Sequence, residues 1–276
     1  MHNKIIILKT KIFLVKFRRL LGVDIIMRLI NDYYEKINNP DAIGAKTKKI
    51  DNGWSIVITT GGQAPDYLLK LISSAERELS GTPHEVIVVG PKNLNIQIKP
   101  QSNIRHLIYR ELRWSPGWIT RKKNLGVAST RFDKIVVCHD YVHFLPGWKK
   151  GFDKFGENFD VCMNIILNND GSRFRDWITW DYPNIGVGLL PYHAECTPYQ
   201  IISGTYFVAK RNFYLNNPLN EKLRWGEGED VEWSRRIRKI TKFKLNTYSK
   251  TGLLKQKKES PANWIEGTNK LEKIYR

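Results

Sequence analysis

Cysteine is nearly absent. Cys138, Cys162 and Cys196 are the only three in 276 residues, and no Cys-x-x-Cys pair occurs. Spacing this wide excludes a disulfide framework and a structural zinc ribbon, and a reducing, cytoplasmic setting is the expectation. Acidic residues are the minority charge, 27 Asp plus Glu against 45 Lys plus Arg, for a formal net charge of +18. No apolar run is long enough to span a bilayer, because the most apolar stretch, residues 4–30, is broken by Lys9, Lys11, Lys16, Arg18 and Arg19. It also lacks the unbroken apolar core and small-residue cleavage site of a signal peptide. Repeats and low-complexity tracts are missing too. What is present, 41% hydrophobic and 12% aromatic residues, suffices for a packed core and excludes wholesale disorder.

A cationic excess of this size calls for anionic partners, and nucleic acid, anionic lipid and phosphorylated small molecules all qualify. Near the N-terminus, cations interleaved with Ile, Leu and Phe suit a helix lying on an anionic membrane through residues 1–30. They suit equally an amphipathic helix packed on its own domain. Asn38-Asn39-Pro40-Asp41 and the polar Gly44–Lys49 stretch then read as a linker. Beyond it, Trp54–Thr59 predicts a strand stopped by Thr60-Gly61-Gly62, and apolar Leu68, Leu71, Ile72, Ala75 and Leu79 predict a helix. Glu85–Val89 predicts a strand covered on both faces, which completes a βαβ unit of an α/β fold. A helix over Ile119–Thr130 and a strand over Lys134–Cys138 follow, with further strands at Val161–Leu167 and Gly204–Ala209 and a helix through Trp233 and Ile237. Ligands of open α/β sheets sit beyond the carboxyl ends of the strands, so Thr60–Gly62 and His139–Tyr141 should line one cleft.

The sharpest local feature is Gly226-Glu227-Gly228-Glu229-Asp230-Val231-Glu232, flanked by Trp225 and Trp233. Helix capping accounts for acids at a helix start but needs neither the paired glycines nor the tryptophans, whereas a carboxylate base beside a sugar-stacking ring uses both. Asp140, with His139, is a candidate cation ligand. A zincin site at His139 and His143 lacks the intervening Glu. Arg121-Lys122-Lys123-Asn124 reads either as a phosphate grip or as a solvated helix face.

In this order the Thr-Thr-Gly-Gly strand end, the Arg-Lys-Lys-Asn-Leu-Gly-Val-Ala helix, IVVCHDYVHFLPGW and GTYFVAKRNF…WGEGEDVEWSRRIR resemble the GT-A glycosyltransferases, and most of all glycosyltransferase family 2. The resemblance runs from about Trp54 to Lys250. It implies an α/β, Rossmann-like GT-A domain over 51–250, with a mixed, mostly parallel sheet flanked by helices. A basic helical extension and linker (1–50) and a basic tail (251–276) lie outside it. The resemblance further implies a nucleotide-sugar donor held by Thr60, Gly61, Gly62, Lys123, Asn124 and Asp140. Asp230 falls on the general base and Glu229 on the acid that orients the acceptor, with Trp225 and Glu227 on the acceptor side. Mn2+ or Mg2+ is implied at Asp140 and His139, although His139 and Tyr141 stand where the family commonly has acids. The acceptor would be a saccharide or a lipid-linked one, transfer would invert the anomeric carbon, and the enzyme would work in cell-surface polysaccharide or glycolipid synthesis at the inner face of a membrane. No nucleic acid is expected, since the acidic cluster would repel it. A nucleotidyltransferase would need cations just after the first strand, where Thr60–Pro65 has none. A nucleic-acid-binding or catalytically inactive GT-A-like protein is the alternative.

Overall fold

The computed structural model describes residues 22–39, 50–94, 103–110, 117–256 and 262–276. In chain order the elements are α1 (Val23–Asn38), β1 (Ile50–Thr59), α2 (Pro65–Glu78), β2 (His84–Gly90), β3 (Ile104–Ile108) and α3 (Ile119–Ala128). Next come β4 (Phe132–His139), β5 (Val142–Phe144), α4 (Trp148–Phe155), β6 (Val161–Leu167), β7 (Ile178–Tyr182), β8 (Gly186–Leu189) and β9 (Gln200–Ile201). The chain continues through β10 (Tyr206–Lys210), α5 (Arg211–Asn216), α6 (Glu229–Ile237), β11 (Lys244–Leu253) and α7 (Ala262–Ile274).

Eight strands form one sheet in the order β3-β2-β1-β4-β10-β6-β11-β5. Only β10 and β5 run against the other six, so the sheet is mixed and mostly parallel. The β-branched runs of β1, β2 and β4 are buried on both faces, which is why they read as continuous apolar segments. Glu85 is the exception on β2, fully buried but bonded by Ser55 Oγ at 2.7 Å, Arg105 at 2.8 Å and Arg131 Nε at 3.0 Å. Register places Thr59 of β1 level with His139 of β4, so both strands deliver their carboxyl ends to the same edge of the sheet. On one side of the sheet, Trp54, Phe144, Trp148 and Phe152 pack with ring centroids 4.6 to 5.1 Å apart.

Most expected elements lie within a residue or two of their predicted bounds, and β10 starts at Tyr206 rather than Gly204. The C-terminal segment, set apart by its charge as a basic tail (251–276), contains regular structure. Strand β11 extends to Leu253, and α7 packs on a second sheet of order β8-β7-β9, where the Leu189 N–H donates to Thr268 Oγ1 at 2.9 Å and Leu271 is fully buried. Of the N-terminal extension, residues 1–21 and 40–49 lie outside the described residues. Helix α1 is joined to the sheet domain by Arg121, whose Nε donates to Glu35 at 2.6 Å and which also pairs with Asp32, and by Asn39, bonded to the Ile108 backbone in β3.

Candidate active site

Four consecutive side chains of α3 organise the site. Successive residues of an α-helix project about 100° apart, so a run such as Arg121-Lys122-Lys123-Asn124 serves four different neighbours. Arg121 is buried against α1, and its pairing with Glu35 and Asp32 removes it from any phosphate role. Lys122 turns to the β1 edge, where its ammonium donates to the Thr60 carbonyl at 3.2 Å. Lys123, fully buried, donates to the Gly204 carbonyl at 2.9 Å and approaches Glu229 Oε1 at 3.5 Å. Asn124 faces α5 and the segment after it, donating to the Leu219 carbonyl and accepting from the Tyr214 hydroxyl at 2.9 Å.

A cavity of about 450 Å³ lies beyond the carboxyl ends of β1 and β4, lined by Thr60, Gly61, Lys122, His139, Asp140 and Tyr141, with Trp225 at its rim. The Thr60 hydroxyl accepts from the Gly62 N–H at 2.9 Å and donates to Asp140 Oδ2 at 2.6 Å, tying the turn after β1 to the end of β4. Gly62 adopts φ +80°, and a Cβ there would stand 3.0 Å from Pro91, so both the turn and its packing require glycine. Trp225 is two-thirds exposed, lines the cavity, and is anchored by its backbone N–H, which donates to the Gly117 carbonyl at 2.9 Å.

Asp230 and Glu229 open α6 and converge on Gly204, where a Cβ would stand 3.1 Å from Asp230 Oδ2 and 3.0 Å from Glu229 Oε1. Asp230 Oδ2 accepts from the Gly204 N–H and Oδ1 from the Val231 N–H, both at 2.9 Å. These two donors fix its orientation and leave each oxygen a second acceptor position. Glu229 is buried, and burial pushes its carboxyl above the ordinary range, against the opposing pull of Lys123. Glu227 lies apart: its carboxylate accepts from the Arg224 N–H at 3.0 Å and lines a wider depression of about 890 Å³ with Trp180 and the outward side of α6.

Of the residues expected to hold a donor, Thr60, Gly61 and Asp140 come together at the cavity and Gly62 braces it, whereas Lys123 and Asn124 point elsewhere. Trp225 and Glu227, expected on one acceptor face, line separate depressions. Two cations, Lys255 and Arg175, escaped the sequence reading, and a third was only half resolved. Lys122 lay in the right run, but a motif cannot resolve one residue on a helix. Lys255 was grouped with the tail, yet its ammonium sits 4.0 Å from the Tyr141 ring centroid at the cavity. Arg175 stacks on Trp264 at 4.6 Å; burial weakens its basicity, opposed by the nearby charge of Asp230.

The expected cation site does not assemble as a protein-held centre. Asp140 has one oxygen engaged by Thr60, and the His139 ring stacks on Tyr141 at 5.3 Å and 6°. Among the described residues no three His, Cys, Asp or Glu side chains cluster to hold a metal, so toward a hard divalent cation, which substrate phosphates and water also ligate, this segment offers no more than Asp140 and His139.

The sheet order, the antiparallel insertion of β10 and the placement of the cavity define the GT-A fold of glycosyltransferases. The crystal structure of GalNAc-T7 with UDP, GalNAc and Mn2+ superposes with a TM-score of 0.54 at 11% identity, covering 81% of this chain and 48% of that one. That chain is thus about twice as long as the part matched here. Residues 1–349 of S. aureus TarS align with a TM-score of 0.46 at 12% identity, covering 74% of this chain and 58% of that one. No protein-family model matches the sequence, and no curated protein does. No helix among the described residues is long and apolar enough to cross a membrane.

Proposed function

We propose that the protein is a glycosyltransferase that moves a sugar from a nucleotide-sugar to a hydroxyl of a saccharide or lipid-linked acceptor, with inversion at the anomeric carbon. One observation carries the reading: within a GT-A fold, the carboxylate of Asp230 is held by the Gly204 and Val231 N–H groups at the start of α6, and Thr205, next to Gly204, accepts from the His139 N–H at 3.1 Å and bonds the Tyr141 hydroxyl at 3.4 Å, two residues that line the Thr60–Asp140 cavity at the strand ends. The donor diphosphate occupies the cavity, contacting Thr60, Gly61 and Lys122, while Asp140 orients the ribose or the phosphates and Trp225 covers the sugar. Lys122 takes the role that the sequence resemblance gave to Lys123, whose ammonium instead fixes Glu229 and the Gly204 backbone.

In the reaction the acceptor oxygen attacks the anomeric carbon from the face opposite the diphosphate. Its proton passes to Asp230, the glycosidic C–O bond forms, and the bond to the diphosphate oxygen breaks with its electron pair leaving on the nucleotide. Glu229, buried and clamped by Lys123, is a positioning residue that fixes the backbone carrying Asp230. Arg175 lies in the field of Asp230.

A membrane-bound acceptor fits the outward side of α1. Ile25, Ile26, Leu29, Tyr33 and Ile37 are each more than half exposed there, and the preceding segment carries Lys9, Lys11, Lys16, Arg18 and Arg19. An apolar stripe next to a basic run matches the chemistry of an anionic lipid surface, with synthesis of a cell-surface glycan or glycolipid at the inner leaflet.

Trp225 supplies the readout for donor binding, because a nucleotide or sugar stacking on an exposed indole alters its emission. Quenching by at least one of a panel of nucleotide-sugars, lost in Trp225→Ala and weakened in Asp140→Asn, is the expected result; no response in emission or calorimetry to any donor would remove the donor-site assignment.

A further inference from the structure

The charge in the cavity is supplied by side chains. Its lining includes three formally charged groups, the ammonium groups of Lys122 and Lys255 and the carboxylate of Asp140. Two cations against one anion leave a net +1, the same balance that one divalent ion would make with a single carboxylate.

The two lysines arrive from different elements. Lys122 descends from the first turn of α3 and is buried, its ammonium bonded to the Thr60 carbonyl at the floor of the cavity. Lys255 follows β11 and lies over the Tyr141 ring at 4.0 Å, with no acidic partner among the described residues. An aromatic face holds an ammonium by its quadrupole and uses none of its three N–H donors, so Lys255 is positioned but still able to bond phosphate oxygens. The same placement works against a cation at Asp140, because Tyr141 is the next residue and Lys255 brings like charge beside it. Asp140 has also committed Oδ2 to Thr60, and the His139 ring is stacked on Tyr141.

We propose that the donor diphosphate is bound, and the charge of the departing nucleoside diphosphate met, by Lys122 and Lys255 in place of a divalent cation. As the glycosyl bond breaks, the electron pair stays on the distal phosphate oxygen, and the two ammonium groups stabilise it as fixed positive charge. The acceptor proton goes to Asp230, so no co-reactant beyond donor and acceptor is needed. This rests on the reading of the cavity as the donor site.

The test titrates the full chain with UDP, GDP and inorganic pyrophosphate by calorimetry, in excess EDTA and again in saturating Mn2+. At least one nucleoside diphosphate should bind in EDTA, with Kd changing less than about threefold on adding Mn2+. Lys255→Gln should weaken that binding about tenfold or more in EDTA, and Lys255→Arg should restore most of it. Binding that strengthens more than about tenfold with Mn2+, or Mn2+ uptake without nucleotide that Asp140→Asn abolishes, would overturn the lysine assignment while leaving the donor site in place. An absence of binding by all three probes in both buffers would overturn the donor site and this inference together.

Discussion

Replacing Lys123 by Met removes a buried ammonium from between the Gly204 carbonyl and Glu229. At 3.5 Å and an effective dielectric of about 20, its attraction for Glu229 amounts to roughly 5 kcal/mol before the desolvation of both groups is subtracted. Breaking such a pair from one side costs about 3–5 kcal/mol, since Glu229 is left buried beside Asp230. Glu229→Gln leaves the ammonium bonded to Gly204 and costs about 1–3 kcal/mol. The double variant buries no uncompensated charge, so its cost should be about 2–4 kcal/mol and the coupling energy, from the midpoints of the three costs, about 3 kcal/mol. The pH dependence is fixed in sign. Burial first, and the Asp230 charge with it, raise Glu229 above its ordinary 4.5 against the pull of Lys123. A carboxyl raised on folding contributes stability that is complete below 4.5 and is lost as pH rises through its folded value. Without Lys123 the folded value rises further, and the loss extends to higher pH. Urea unfolding of the four proteins at about pH 4.5 and about pH 7.5 should show the Lys123→Met deficit smaller at the lower pH. Equal deficits at the two pH values, or a coupling energy within about 0.5 kcal/mol of zero, would refute the clamp.

Gly62→Ala forces a left-handed backbone on a residue with a Cβ, at about 1–2 kcal/mol, and sets that Cβ 3.0 Å from Pro91. Because the Thr60 hydroxyl depends on the Gly62 N–H, donor KM should rise about tenfold along with the stability loss seen by thermal melting. Gly81→Ala shares the positive φ but meets nothing within 4 Å, so it should lose stability alone; an equal KM effect there would mean that strain, not the turn, governs donor binding. The paired change Ile26→Glu and Leu29→Glu on the exposed stripe of α1 should release the full chain from phosphatidylglycerol vesicles in a sedimentation assay, and undiminished binding would remove α1 from the membrane contact.

The parts of the fold legible in the sequence are those whose burial is apolar. Strands β1, β2, β4 and β6 announce themselves as Val and Ile runs because both faces are covered. Strand β11 does not, although it is ten residues long: it buries Asn246, Ser249 and Thr251 and satisfies them laterally, Asn246 Nδ2 donating to Ser249 Oγ at 2.9 Å and Ser249 Oγ to the Trp148 carbonyl at 2.7 Å. A polar strand of this kind reads as loop. Three-residue β5 is too short for any period to show, and α7 was hidden by the charge of the segment it ends. At the site, the backbone-linked pieces were legible: the turn after β1, Asp140 at the end of β4, and the acids that open α6. Side chains that act from a distance were not. Lys255 reaches the site by stacking on Tyr141, and Arg175, stacked on Trp264, acts on it through the charge of Asp230, contacts that no local pattern encodes. Arg121, grouped with the phosphate-facing cations, is instead the buried anchor of α1, a pairing set by residues 86 positions away.

In the proposed reaction Asp230 is the base for glycosyl transfer. The most direct test of this role is the initial rate of nucleoside diphosphate release, in wild type and Asp230→Asn, with the best-binding nucleotide-sugar and its acceptor. The amide keeps the size of the side chain and, through its oxygen, one backbone N–H contact, but accepts no proton, so turnover should fall by a factor of about 100–10,000 while donor affinity stays within about threefold. Turnover unchanged in Asp230→Asn would contradict the account.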